Sequence, residues 1–398
     1  MSARPRRVYN PWDVALRRDP YPSYRRLLET DPIAFDARAG LWFASGHDAC
    51  SAALRDDRLS AGLGQGLRRR DAALPLSMLS VDGAEHAKIR GCLQHLFTRQ
   101  SLRRLQPRVQ AILDWLLDGL AAHDQFDVVA DLARPLSAMV LADLVGVPGR
   151  DFGRFHVWAQ AASANLDPLM PVDLCGPAVA AADELAAYLG DLIEQRRASP
   201  GPGLVGALVR SPQVAKTLRD EDLVALVGLV VIGGYEPLAD LIGNGVLCLL
   251  SNRDQWERLA AEPNLVPSCV EELLRYDPPI QLVARVATAD LTVGDVAVRA
   301  GEGIVCLLGA GNRDPARFPK PDRFVPDRRP NPHLSFGGGP HFCLGAPLAR
   351  LVVNAAVATL GIRLPGLGLV QREPEWRSSL VPRGLRTLPV HSPGESRR

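Results

Sequence analysis

Over most of residues 1–280, apolar side chains recur at three- and four-residue spacing, the mark of helices with one buried face. Leu105 to Ala122, LQPRVQAILDWLLDGLAA, keeps that register and predicts a helix. Leu132 to Val147 predicts a second, stopped by Pro148-Gly149, and Ala178 to Arg197 a third. From Ala198 to Pro212 the ASPGPG head interrupts the pattern and predicts a surface connection. Asp220 to Leu250 is apolar on nearly every side, so its helix belongs inside the protein. At about 1.5 Å per residue that helix would run roughly 45 Å.

The period shortens around Arg285. VARVATADLTVGDVAVRAGEGIVCLLGAGN alternates β-branched residues with Gly and Asp, which predicts short strands and hairpins. A Pro- and Arg-rich loop, NRDPARFPKPDRFVPDRRPNPH, leads toward Cys343, and a last helix follows that cysteine. No internal repeat and no flexible linker divides the chain. Residues 1–398 are therefore expected to form one mainly α domain with a smaller β-rich region, with 392–398 as a flexible tail.

A 398-residue chain that is 47% hydrophobic can bury a large core without disulfides or a structural metal. No uninterrupted apolar run reaches about 18 residues, so no transmembrane helix is predicted. The opening MSARPRRVYNPWD lacks the apolar stretch of a signal peptide, and a soluble cytoplasmic protein is expected. A net charge of +2 gives no reason to invoke nucleic acid or an anionic membrane. Seven cysteines, with no CxxC pair, argue against a zinc site or a disulfide framework. All but Cys343 read as small core residues.

Cys343 lies in Phe336 to Ala346, FGGGPHFCLGA. Three consecutive glycines allow a tight turn and let the backbone approach a large flat partner without Cβ clashes. Gly345 and the helix LARLVVNAAVATL come next, so the sulfur stands at the positive end of a helix dipole, which favours thiolate. An ordinary glycine turn that happens to hold a buried cysteine is the alternative. The constrained spacing of Phe, Gly, Gly, His, Cys and Gly argues against it.

FGGGPHFCLGA resembles the cysteine-ligand loop of the cytochromes P-450, with Phe336, Gly337, His341, Cys343 and Gly345 at its signature positions. The likeness runs from NPWDVALRRDPYPSYRRLL to RGLRTLPV. It implies the cytochrome P-450 fold, with haem b between the long central helix and the cysteine-loop helix, and Cys343 as the ligand to the iron. Thiolate ligation assists O–O cleavage. Glu272 and Arg275 in VEELLRYDPP resemble the family's ExxR pair, which shares one helix face. The family completes that pair with an arginine from the later loop, and Arg323 in KPDRF stands at the matching place, after Asp322 where glutamate is commoner. This cluster would hold the cysteine loop. His86 and Arg90 in DGAEHAKIRGCL, with Arg285 and His341, match the family's partners of the haem propionates.

One departure concerns the long helix. There the family carries Ala/Gly-Gly-x-Asp/Glu-Thr on the distal side of the haem, and this chain reads Gly233-Gly234-Tyr235-Glu236-Pro237. Proline removes a backbone N–H and clashes with the carbonyl four residues back, that of Gly233, so the helix is expected to open locally. The hydroxyl that serves oxygen activation in the family is gone. A substrate hydroxyl or an ordered water is expected to replace it, with Glu236 feeding protons from solvent. Alternatively Glu236 merely pairs with a neighbouring base.

By position in the family, the substrate faces Leu63 to Met78, Ala161 to Leu174, Val227 to Gly234, Ile280 to Ala284 and Ser379 to Val381, which are mainly apolar. Arg68, Arg69, Arg70 and Asp71 would be the charged exceptions. No Rossmann glycine pattern is present, so electrons are expected from a ferredoxin and its NAD(P)H-dependent reductase, docking near Arg99, Arg103, Arg104 and Arg350. The leading expectation is a monomeric monooxygenase that inserts one oxygen atom from O2 into a small, mainly apolar molecule of secondary metabolism. The runner-up is oxidative coupling, cyclisation or desaturation on the same haem. A non-catalytic haem sensor is the third reading.

Overall fold

The long apolar segment folds as one helix, Asp220–Ser251, and the helices Arg134–Val145, Phe152–Ser163, Val172–Ala198, Val266–Tyr276 and Ala346–Arg363 pack on it. The computed structural model describes residues 9, 16, 18–66, 78–167, 172–371, 373–379 and 381–392. The expected tail and the Arg68–Asp71 cluster therefore lie outside the described residues, apart from Ser392.

The start of the long helix is set by charge. Asp220, Glu221 and Asp222 fill its first turn, where carboxylates complement the helix dipole. Asp222 accepts the backbone N–H of Arg219 at 3.1 Å, which satisfies a donor at the helix start. Further along, Leu226, Val227, Val231 and Leu249 are fully buried in a core that also takes in Leu141, Leu189 and Val353. The helix continues unbroken through Pro237, against the expectation of a local opening. What the proline does remove is the N–H that would bond the Gly233 carbonyl.

The other predicted helices appear as Gln106–Leu120, Arg134–Val145 and Val172–Ala198. Inside the expected surface connection, Gly203–Val209 forms a further short helix, because Leu204, Val205 and Leu208 are buried against the core. Local breaker residues did not outweigh that apolar burial. Cys50, Cys92, Cys248, Cys269 and Cys306 are buried core residues, and Cys175 is half-buried. By length and composition alone two helices could cross a membrane, Asp220–Ser251 and Ala346–Arg363. Within the protein, 56% and 50% of their most apolar windows are buried.

The predicted strands Val283–Ala287 and Gly303–Cys306 form part of a five-stranded sheet. Its other strands, Ile33–Asp36, Leu41–Ala44 and Leu59–Ser60, come from the region that reads as helical. They are two to four residues long, too short to show a period. Leu41–Ala44 pairs in parallel with Gly303–Cys306, and the remaining pairs are antiparallel. This sheet brings Ala284 and Arg285 to the wall of the internal cavity.

Replacing Asp222 with Ala removes the bond at the start of the long helix and is expected to cost about 1 kcal/mol, measured by thermal or urea unfolding.

Candidate active site

A cavity of about 810 Å³ separates the long helix from the cysteine loop. Gly233, Gly234, Pro237, Leu238 and Leu241 line it from the helix. Phe336, Gly337, His341, Cys343 and Gly345 line it from the loop. The glycines are needed for geometry. Gly337 and Gly339 have φ of 71° and 64°, and a Cβ on Gly339 would lie 2.4 Å from the Leu54 carbonyl oxygen. The turn closes where Cys343 N–H donates to the Phe336 carbonyl at 2.9 Å.

Cys343 is exposed to the cavity. Burial pushes its thiol up, and the backbone N–H groups of Gly345 and Ala346, with Arg90 and Arg350, oppose that shift only in part. The helix end thus favours the anion, as its dipole leads one to expect, and burial opposes it. A coordinated cation would settle the balance toward thiolate.

The loop is tied down by a buried ion cluster. Arg275 donates to both oxygens of Glu272, at 2.7 and 2.8 Å, and both side chains have 0% exposure. The second guanidinium on Glu272 is that of Arg328, whose Nε lies 3.1 Å from each oxygen. Arg323, the expected partner, is exposed and contributes only its carbonyl, which accepts from Arg275 and Arg328. Asn331 and the Val325 N–H also donate to Glu272. Asn312 accepts the Leu334 N–H at 2.6 Å and donates to Ser335, so the same anchorage extends toward the cysteine turn.

Glu271 adds a second tie that sequence reasoning missed. It accepts Arg350 at 2.6 and 2.8 Å and bonds His333 at 3.1 Å. Burial pushes this carboxyl up, but Arg350 and His333 outweigh it and hold it at about 2. Arg350, expected on a docking surface, is thus committed to Glu271 and stacks 4.6 Å above Phe336.

At the cavity edge stand His86, Arg90, Arg285 and His341, and no carboxylate lines the cavity among the described residues. The His86 and His341 rings are 4.1 Å apart. Burial, then repulsion from His341 and Arg90, pushes His86 down to about 4. Burial likewise lowers Arg90 and Arg285. His341 bonds Asp82 at 2.9 Å, a partner the sequence did not single out. Two arginines and two histidines gathered round one carboxylate, Asp82, beside a sulfur and between apolar walls, fit a flat guest carrying further carboxylates and a thiophilic metal.

Glu236 does not line the cavity among the described residues. It is buried, bonded to Arg377 and 3.5 Å from Arg134. Pairing with neighbouring bases, the alternative reading, is what the geometry has. Of the substrate segments, Met78, Leu166, Leu229, Val230, Ile280, Val283 and Val381 reach the cavity.

A helix-rich fold closing an apolar cavity over a loop cysteine defines the haem-thiolate class. Residues 164–360 match the family described as cytochrome P-450. The chain is 36% identical to the monooxygenase PikC of Streptomyces venezuelae over 94% of its own length and 91% of that protein. It is also 36% identical to the mycinamicin IV hydroxylase/epoxidase of Micromonospora griseorubida, over 92% of this chain and 94% of that one. The crystal structure of CalO2 superposes with a TM-score of 0.90 at 33% identity, covering 97% of this chain and 99% of that one. The chain belongs to the cytochrome P-450 family, and it is an oxidoreductase whose cofactor is haem b.

Because Arg328 and not Arg323 meets Glu272, Arg328→Leu is expected to destabilise by about 1.5–3 kcal/mol, the loss of a charge-assisted bond while Arg275 still neutralises Glu272. Arg323→Leu should stay within about 0.5 kcal/mol, as exposed substitutions do. Thermal unfolding of the two variants side by side checks this.

Proposed function

We propose that Cys343 binds the haem iron, that His86, Arg90, Arg285 and His341 receive the propionates, and that the protein inserts one oxygen atom from O2 into a small, mainly apolar molecule. The observation that carries this reading is that the Cys343 sulfur and the Gly233–Gly234 stretch line one apolar cavity. Haem, when bound, supplies the activation of dioxygen. The chain supplies the rest. Gly345 and Ala346 stabilise the sulfur's negative charge through their N–H groups. Gly337 and Gly345, with Phe336, line the cavity and would let the loop backbone approach a bound porphyrin without Cβ clashes. Leu229, Val230, Ile280 and Val283 exclude water and select apolar substrates.

Pro237 bears on the finer chemistry. Tyr9 and Ser335 carry the only hydroxyls among the described residues lining the cavity, and neither is on the long helix. The Gly233 carbonyl, lacking a Pro237 N–H, is available to hold a water that delivers protons, and a substrate hydroxyl is the other source. The missing hydroxyl also favours a second reading, oxidative coupling, cyclisation or desaturation. Labelled dioxygen separates the two: label in the product supports insertion.

Electrons would come from a ferredoxin and its NAD(P)H-dependent reductase. Arg99, Arg103 and Arg104 support this, being exposed and without an ion pair among the described residues. They would meet an acidic partner. A cytoplasmic monomer acting in secondary metabolism completes the reading.

Two outcomes test it. His86→Ala with Arg90→Ala removes two charge-assisted bonds, each about 1.5–3 kcal/mol, and is expected to speed haem loss to apomyoglobin at least tenfold. Pro237→Thr is expected to raise product formed per NAD(P)H for substrates without a nearby hydroxyl, and to leave hydroxyl-bearing ones unchanged. Equal coupling in both classes before and after the change would make the missing hydroxyl irrelevant.

A further inference from the structure

Beside Pro237 the long helix carries two buried carboxylates one turn apart, Glu236 and Asp240. Burying two such groups is costly unless a cation pairs with them. Arg377 does so, giving one Nη to each carboxylate. Its backbone also closes a loop, since Arg377 N–H donates to the Gly384 carbonyl at 3.0 Å. Within that loop Ser379 Oγ donates to the Pro382 carbonyl at 2.7 Å. Asn244 of the long helix donates to the Arg383 carbonyl at 3.1 Å. Gly384 lies so close to Asp240 that a Cβ there would sit 1.8 Å from Oδ1. Val381, in the same loop, lines the cavity.

We propose that Arg377 is a positioning residue, docking loop 377–384 on Glu236 and Asp240 and so setting together the cavity wall at Val381 and the charge beside Gly233–Gly234. The proposal rests on this cavity being the substrate chamber. The same guanidinium holds Glu236, while the neighbouring Pro237 reaches the cavity. Burial first, and Glu236 next among the groups that raise it, push the Asp240 carboxyl up to about 7, with Arg377 and Arg134 opposing. Asp167, Tyr235 and His156 complete the charged and titratable surroundings. Protonation of Asp240 near neutral pH therefore weakens one of the two ion pairs that seat the loop. The ligand chamber should feel that change.

The test is a titration of the haem-loaded protein with phenylimidazole, its concentration counted as the neutral azole at each pH, read by the haem absorption shift across about pH 6 to 8. In the wild type, affinity is expected to depend on pH, with the loop held best at the alkaline end. Arg377→Met should weaken binding on the order of tenfold and flatten the pH profile. Arg377→Lys should restore most of both, and Asp240→Asn should flatten the profile. A wild-type affinity and profile in Arg377→Met overturns the proposal. Should that variant not load haem, a wild-type profile in both Arg377→Lys and Asp240→Asn overturns it equally. Failure of the azole to shift the wild-type spectrum would instead count against the chamber reading itself.

Discussion

A thiol that burial pushes upward becomes a strong donor only where a cation takes the place of its proton, and the surroundings of Cys343 are built to that condition. The sulfur faces the cavity, and the N–H groups of Gly345 and Ala346, with Arg90 and Arg350, favour its anion against burial. A bound metal cation would hold it as a thiolate in a medium where its charge is poorly screened. The pre-set turn through Gly337 and Gly339 then fixes the direction from which it donates.

Holding that turn falls to charges as well as to hydrophobic packing. The proline- and arginine-rich loop buries Phe318, Phe324 and Leu334, and bonds from Val325, Arg328, Asn331 and His333 to Glu272 and Glu271 of the neighbouring helix fix its path. Buried ion pairs are weak sources of stability but strong sources of geometric definition when every lone pair is used. Glu272 accepts from Arg275, Arg328, Asn331 and Val325. A second charged cluster, on Arg377, does comparable work behind the opposite wall of the cavity. The chamber is thus apolar inside and charged in its supports.

The long helix, the last helix and the later strands were legible because each carries its own period, or a continuous apolar run. The cysteine turn was legible because its glycines are imposed by backbone geometry within eleven residues. The short early strands were not, since pairing with Gly303–Cys306 gives them their state and no local pattern does. The misassigned arginine has a related cause. NRDPARFPKPDRFVPDRRPNPH holds several arginines in a segment without periodicity, so nothing local says which of them turns inward to Glu272. Glu236 was visible as an acid in an apolar helix, but its partner comes from the loop after Trp376, far along the chain. Charge pairs across such distances leave no mark on either segment alone.

All of this chemistry depends on a direct bond from the sulfur of residue 343 to porphyrin iron. Absorption of the dithionite-reduced, carbon-monoxide-treated protein reports on that bond. The long-wavelength Soret band of a thiolate-ligated haem is expected, and its loss in Cys343→Ser. A band at the shorter wavelength of a histidine-ligated haem, or a purified protein without porphyrin after expression with ample iron, would contradict it.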